Sequence, residues 1–428
     1  MSGDLPTIFA ISSGAPPAAI GVIRVSGSKA GIALLTLIGR DVEPRRASLA
    51  KLRDNAGETL DEALVLWFPG PETATGEDLA ELHCHGGRAV LTAVCEALGT
   101  MDGLRPAQEG EFTRRAFANG RIDLAQAEGL ADLLEAETEL QRAAAIRSVS
   151  GAISNKVEGW REQVLHLSAQ IEAALDFSDE DDVSDLPSSF AQNIDKLTSS
   201  LEEWLMRPRS ERLKEGLRIV LAGPPNSGKS TLFNALVESE AAITSSIAGT
   251  TRDVIERSVA ISGVPFVFID TAGLRSEGID EIETIGIRRA NDEFDRADLV
   301  LWLGAEGEGP DGAWEVAARS DCSDFVAKPS ANHRVSAKTG EGLADLKDVL
   351  VVFGRGKLPK PGEATLNARQ RKRLIEAHDA VVSAKAQGDF LLIGEDLRSV
   401  RLAFDRLIGR TSTEDMLDAL FGRFCIGK

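Results

Sequence analysis

The stretch GPPNSGKS at residues 223–230 is where residue types and spacing most directly imply chemistry. Gly223, Gly228, Lys229 and Ser230 fill the fixed slots of G-x-x-x-x-G-K-[ST], a loop that cradles phosphates. Its glycines let backbone N–H groups, and the N-terminus of a following helix, face negative charge. Lys229 is expected to reach the β/γ-phosphates of a nucleoside triphosphate and the Ser230 hydroxyl to ligate Mg²⁺, with Ser227 and Thr231 beside them. The apolar LRIVLA before the loop reads as a buried strand and TLFNALVES after it as a helix. That is the context the motif needs.

Three more elements follow in the order of a small GTPase. AGTTRD (248–253) offers Thr251 to Mg²⁺ and the γ-phosphate, with Thr250 adjacent. FVFIDTAGL (266–274) is a strand ending in D-x-x-G, which puts Asp270 near Mg²⁺ and the Gly273 amide near the γ-phosphate. VSAKTGEG (335–342) supplies Ser336, Ala337 and Lys338 as a loop that helps read guanine. Each string is weak alone, and four in order are specific. Leu274 stands where Ras-like proteins carry the water-orienting Gln, so an acid from EGIDEIETIG (277–286) is expected to replace it.

Two positions carry open readings. The Asn226 amide oxygen can coordinate a monovalent cation beside the phosphates, where other systems use an arginine finger. A loop-stabilising side-chain hydrogen bond is an equally good reason for an Asn there. Guanine specificity normally rests on N-K-x-D, and the stretch that aligns with it is AKPS (Ala327, Lys328, Pro329, Ser330). Lys328 can lie along a base, but Ser330 has no carboxylate to accept from guanine. Losing that charge-assisted pair costs about 1.5–3 kcal/mol, roughly ten- to a hundredfold in affinity.

These motifs must be positioned by a chain of 428 residues, enough for two to four domains. The fold class expected is multidomain α/β plus all-α. Residues 1–118 read as an α/β unit, with IGVIRVSG, EALVLWFPG and GEDLAELHCHGG as strands and RAVLTAVCEALG as a helix. Residues 119–215 have the texture of long helices with little turn chemistry, interrupted by the acidic FSDEDDVSDLP (177–187). Residues 216–358 form a Ras-like P-loop domain, and helical texture returns over 359–428. One helical domain built from two segments, with the nucleotide domain inserted, accounts for this order.

Composition excludes several classes. A net charge of −19 argues against a broad nonspecific nucleic-acid surface, since phosphate binding is largely Lys/Arg electrostatics. No apolar run reaches the ~18 residues that span a bilayer, so no membrane is expected. MSGDLPTIFAISSG lacks the basic and apolar regions of a signal peptide. Cys84, Cys95, Cys322 and Cys425 show neither disulfide nor C-x-x-C spacing, and the compartment expected is the cytoplasm. HCH at 83–85 alternates across a strand, which does not converge on a metal. The terminal CIGK has the wrong last residues for prenylation. A buried structural thiol is the plain reading of Cys425.

The series GPPNSGKS…AGTTRD…DTAGLR, together with IGVIRVSG, GEDLAELHCHGG, NGRIDLAQAE and FCIGK, resembles the MnmE (TrmE) family of tRNA-modification GTPases over essentially the full length. The resemblance implies a folate-binding and dimerising N-terminal domain, a discontinuous helical domain and an inserted G domain. It implies action with an FAD-dependent partner, MnmG (GidA), in a heterotetramer or larger complex. Together they would modify C5 of the wobble uridine (position 34) of certain tRNAs. 5,10-Methylene-tetrahydrofolate would supply the carbon, with 5-formyl-tetrahydrofolate as its analogue. It also implies GTP, Mg²⁺ and K⁺, a homodimer, and G domains that meet across their nucleotide faces. By residue, Asn226, Ser245, Ile247 and Thr250 match the K⁺ site, and Ser230 and Thr251 the Mg²⁺ positions. Glu283, with Glu281 as the fallback, matches the acid that positions water. Arg24, Glu81, Arg121 and Lys428 match the folate pocket, into which Cys425 would project as a catalytic thiol. The alternative is a ribosome-assembly-type GTPase that binds rRNA, and a plainer one still is a nucleotide-gated scaffold with negligible turnover.

Overall fold

Alternating apolar and polar residues build a first sheet with two unlike faces. In the computed structural model the described residues are 5–176, 186–187, 189–238, 241–242, 255–271, 292–323, 325–360, 363–411, 414–422 and 424–427. The chain begins β1 (Thr7–Ile11), β2 (Ile20–Ser26), α1 (Ala30–Ile38), β3 (Ser48–Arg53), β4 (Thr59–Phe68), β5 (Leu79–His85), α2 (Arg88–Gly99), β6 (Leu104–Pro106) and α3 (Glu111–Ala118). The strands pair in the order β3-β4-β5-β2-β1-β6, antiparallel except for β1 with β6. Ile23 and Val25 of β2, and Ala80, Leu82 and Cys84 of β5, enter one core with Ala33, Leu34 and Leu37 of α1 and Leu91, Val94 and Leu98 of α2. Because side chains alternate along a strand, Arg24, Glu81 and His83 must face the other way. There α3 lays Phe112 against Ile8 and Ala10 of β1.

The helical stretch that follows is more divided than its composition suggests. It forms α4 (Leu124–Glu135), α5 (Glu139–Val149), α6 (Ala152–Asp176), α7 (Ser189–Leu205) and α8 (Ser210–Glu215). The break before α5 is a capping box: the Gln141 N–H donates to Thr138 Oγ1 at 3.2 Å, and the Thr138 N–H donates to Gln141 Oε1 at 2.8 Å. The break before α6 falls at Gly151, whose φ of 82° lies in the left-handed region. Apart from Leu186 and Pro187, the acidic stretch expected to interrupt the helices lies outside the described residues.

The second sheet is built from β7 (Leu217–Ala222), β8 (Ala241–Ala242), β9 (Ile255–Ile261), β10 (Val264–Asp270), β11 (Leu299–Trp302), β12 (Trp314–Ala317) and β13 (His333–Arg334), with α9 (Lys229–Glu238) after β7 and α10 (Leu343–Lys357) after β13. Its order is β13-β12-β11-β7-β10-β9-β8, parallel from β13 through β10 and antiparallel at β9 and β8. Leu232, Phe233 and Leu236 of α9 and Leu346, Leu350 and Val351 of α10 cover one face. Ala144 of α5 and Leu213 of α8 join that same core. On the other face Phe294, Ala297, Trp302 and Ala313 pack over Val220, Val267, Ile269 and Val300. Parallel neighbours are usually joined through a helix, yet 303–313 joins β11 to β12 without one.

The chain closes with α11 (Ala368–Ala386), α12 (Phe390–Ile408) and α13 (Glu414–Phe421). Contacts divide it into two units: residues 1–131, 154–161 and 401–428, and residues 132–153 and 162–400. In the first, Trp160 of α6 stacks on Phe404 of α12 at 5.8 Å, and Phe421 of α13 lies 6.2 Å from Phe117 of α3. No helix among the described residues is long and apolar enough to cross a membrane.

Candidate functional site

Strand β7 is buried at nearly every residue and delivers Gly223 from its C-terminal end. Two positions of the loop require glycine. A Cβ on Gly223 (φ 147°) would stand 2.9 Å from the Gly304 backbone nitrogen, and one on Gly228 (φ 96°) would stand 3.2 Å from Arg319 Cγ. Asn226 also has positive φ, 63°, a conformation Asn tolerates better than most residues. Its side chain is exposed.

Polar groups converge around this turn. Lys229 Nζ donates to Gly223 O at 3.0 Å and Pro224 O at 2.8 Å, so the ammonium sits inside the loop. Ser230 Oγ donates to Asp270 Oδ2 at 2.6 Å. This joins the two groups expected at Mg²⁺, Ser230 from the first turn of α9 and Asp270 from the end of β10, where it lies opposite Leu221 in the ladder. Ser227 Oγ is buried without a hydrogen-bond partner among the described residues. A buried hydroxyl left unpaired costs about 1–3 kcal/mol, so its place within a phosphate loop fits an anion that it would contact. Thr231 is exposed in the first turn of α9. Ser245, Ile247, Thr250, Thr251, Gly273, Leu274, Glu281, Glu283 and Lys428 lie outside the described residues.

The structure corrects the base-reading stretch. Lys328 is not laid out along a ligand surface: its Nζ donates to Glu315 Oε2 at 3.0 Å and to Trp302 O at 3.2 Å, with the side chain only 10% exposed. Ser330 turns its N–H to Glu306 Oε1. AKPS therefore belongs to the connection between β12 and β13. One strand beyond β11, β12 runs into Ala318-Arg319-Ser320-Asp321, which reaches the phosphate loop. Arg319 Nη1 donates to the Asn226 carbonyl at 3.2 Å. Ser336 Oγ donates to Asp321 Oδ1 at 2.6 Å, and that hydrogen bond holds the Asp321 carboxyl below its usual range, with Lys338 and Arg319 adding to it. Ser336 is fully buried and fastened by its own loop, while Ala337 is half-buried and Lys338 exposed. Arg319 itself has φ 64°, a strained setting for a long side chain. The signal that finds this motif is the short strand Trp314–Ala317 followed by R-S-D.

The first unit holds a second cluster, on the sheet face opposite α1 and α2. Arg24 and Glu81 are ladder partners on β2 and β5, and their side chains meet at 2.8 Å. Arg24 also lies 5.9 Å from the Phe112 ring, and His83 Nε2 stands 3.4 Å from Glu81 Oε2. Burial pushes the Glu81 carboxyl up, but Arg24 and His83 outweigh it and hold it below the ordinary carboxylate range. Ser26 bonds Thr75 and Glu77, and Glu77 pairs with Arg115 at 3.0 Å. Arg121 is exposed against the turn at Gly76, where a Cβ would come 3.2 Å from its Cγ.

The chain's end reaches this unit. Ile426 forms a bridge with Glu109, and Ser12 Oγ donates to Gly427 O at 2.8 Å. Cys425 is exposed rather than a buried structural thiol. His83 and His85 take different partners, Glu81 and Asp61, the latter at 2.7 Å, while burial pushes the Cys84 thiol to about 12.

Comparison with known proteins gives the chain's family. A family model described as the GTP-binding protein TrmE N-terminus matches residues 7–121, and one described as the MnmE helical domain matches 124–425. A relative from Erythrobacter litoralis, named tRNA modification GTPase MnmE, is 61% identical across 99% of this chain and 100% of its own. Another of that name, from Novosphingobium aromaticivorans, is 59% identical across 99% of both. A solved G domain of the T. maritima FeoB iron transporter aligns with 32% of this chain and 98% of its own, at 25% identity and a TM-score of 0.24, a likeness that supports no conclusion.

Proposed function

The chain belongs to the MnmE family of tRNA modification GTPases, and from that premise we propose that it couples K⁺-dependent GTP hydrolysis to modification of a tRNA wobble uridine. The observation that carries the reading is the strand-end row of Lys229, Ser230–Asp270, Arg319 and Asp321–Ser336 around one turn. Lys229 and the loop amides would hold the β- and γ-phosphates, and Ser230 with Asp270 would take Mg²⁺, joined by Thr251. The metal supplies charge neutralisation at the phosphates. Asp321, kept ionised by Ser336, would accept from the guanine N1 and N2 groups, the task no residue of AKPS can do. Asn226, with Ser245, Ile247 and Thr250, would hold K⁺, and Glu283 would orient water.

In the first unit, the Arg24–Glu81 pair would receive the polar end of a reduced folate, with Arg121, Cys425 and Lys428 from the segments around it. The same reading takes 1–118 as folate-binding domain, 119–215 and 359–428 as one helical domain, and 216–358 as inserted G domain. It makes the protein a cytoplasmic homodimer that works with the FAD-dependent MnmG on tRNA.

Steady-state hydrolysis of GTP and ATP in KCl and in NaCl at matched ionic strength tests the proposal. It expects strong K⁺ dependence and a preference for GTP. Cation-independent turnover, or equal use of ATP, would contradict it.

A further inference from the structure

Residues 207–215 and 355–373 carry eleven Lys and Arg against three Glu, in a chain whose net charge is −19. The two segments are joined at both ends of α8. At one end the Ser210 N–H donates to Leu366 O at 3.3 Å, and the Ala368 N–H donates to Glu211 Oε1. At the other, Gly354 of α10 packs on Leu217, whose Cδ1 a Cβ there would approach to 3.1 Å. Between these junctions runs α8, about 9 Å long at ~1.5 Å per residue. That is within one Debye length, ~10 Å at 0.1 M salt, so the fields of the cations around it add.

Some of these charges are paired inside the fold. Arg207 reaches Glu363 at 3.6 Å, Arg212 reaches Asp298 at 3.6 Å and Lys214 reaches Asp132 at 3.3 Å. Arg209, Arg355, Lys360, Arg371 and Lys372 have no carboxylate partner among the described residues; Arg371 is half-buried and the rest are exposed. Their placement works against the helices that carry them. A helix N-terminus holds positive partial charge and favours acids. Yet α11 has no acid in its first turn and puts Arg369, Arg371, Lys372 and Arg373 within its first six residues. Arg209 stands at the N-cap of α8 and makes no capping bond. Glu211 gives one oxygen to the Ala368 N–H and leaves the other buried without a partner among the described residues, rather than pairing an arginine. Neither packing nor capping accounts for cations in these positions, whereas a polyanion laid across them does.

From this geometry we infer that the basic junction of α8, the end of α10 and the start of α11 is a docking surface for the phosphate backbone of the tRNA. The inference rests on the proposed function, which gives the chain a tRNA substrate but no surface to meet it. On a chain of net charge −19 the docking has to be local, because the remaining surface repels RNA. Lys and Arg contacts to phosphate fix position without reading bases, so this surface orients a folded RNA and does not select its sequence.

The test is binding of an unmodified tRNA transcript to the full-length protein from about 50 to about 200 mM KCl. The variant carries Arg209→Gln, Lys360→Gln, Arg371→Gln and Lys372→Gln together. It should bind at least about tenfold more weakly, with the slope of log K against log salt shallower by about three, at ~0.9 per lost phosphate contact. GTP turnover without tRNA should match the parent and so report an intact fold. Lys360→Gln with Lys372→Gln, both at exposed positions, should give about half the slope change. Lys51→Gln, Arg53→Gln, Lys196→Gln and Arg398→Gln together should alter neither affinity nor slope. Parent-like affinity and slope in the fourfold junction variant overturn the inference, as does an equal loss in the control. Normal tRNA binding with loss of the FAD-dependent partner also overturns it, and makes the junction a protein-docking surface. Modification assayed with that partner separates the two claims. If parent and junction variant bind and modify tRNA alike, only the docking surface falls. If the parent neither binds nor modifies tRNA, the proposed function falls with it.

Discussion

The two candidate sites differ in how far they are complete as they stand. On the sheet face of the first unit the buried charges described are paired: Arg24 with Glu81, Arg115 with Glu77 and Glu111, Arg105 with Glu111. At the phosphate loop, a buried hydroxyl has no partner among the described residues, Lys229 donates to the carbonyls of its own loop, and Asn226 and Arg319 sit at positive φ. The first site is preformed by ion pairs, Arg24–Glu81 across two strands among them, so a ligand there would compete with bonds already made. The second keeps its hydrogen-bonding capacity turned inward, where in the proposed function a ligand would take it up. Strain and unsatisfied groups cluster where binding energy is used, and the contrast fits that rule.

The largest effect should come from Lys229→Ala. Removing the ammonium from the loop should cost about a hundred- to a thousandfold in GTP turnover, by analogy with loss of one transition-state donor. Binding of 5-formyl-tetrahydrofolate, read by calorimetry, should be untouched. Loss at both sites would break the comparison.

Gly427→Ala should reverse the pattern. Gly427 has φ 97°, and a Cβ would stand 2.1 Å from the Ile11 carbonyl, so the tail must lift from β1. Strain of about 1–3 kcal/mol predicts roughly tenfold or greater weakening of the folate analogue with GTP turnover by the isolated protein retained.

The smallest effect is acid sensitivity of the first unit. Glu81 and Glu111 are held below their ordinary value of 4.5; burial raises each carboxyl, and the arginines beside it outweigh that. Carboxyls depressed in the folded state contribute stability that is present above pH 4.5 and lost as pH falls through the folded values. Denaturant midpoints followed below pH 5 should therefore drop, and Glu81→Gln should flatten that slope. An unchanged slope would show that the pair is not closed in solution.

Much of this was readable because phosphate binding restricts which residues can occupy a loop. Gly223, Gly228, Lys229 and Ser230 have few substitutes, and the buried strand before them is equally constrained. The alternation in IGVIRVSG and LAELHCH likewise sets Arg24 and Glu81 on the face away from the helices. The base motif was hidden for a physical reason. Ala318 and Arg319 stand where Asn and Lys are usual, and the strand before them begins with Trp314 and Glu315, so the lysine of AKPS offered the better-looking match. Only the folded chain shows which segment reaches the loop, through the Arg319 hydrogen bond to the Asn226 carbonyl. The helix break at Thr138 was written in T-E-L-Q but masked by the Ala/Leu texture around it.

The assignment of Asp321 is the claim on which GTP specificity turns, and exchanging its carboxylate for an amide tests it directly. Guanine presents two N–H groups to an acceptor, whereas xanthine presents a carbonyl at C2 that an amide N–H can meet. For Asp321→Asn, kcat/KM with GTP should fall about a hundredfold or more while xanthosine triphosphate becomes the better substrate. Unchanged preference for GTP would contradict the account and return base reading to another part of the chain.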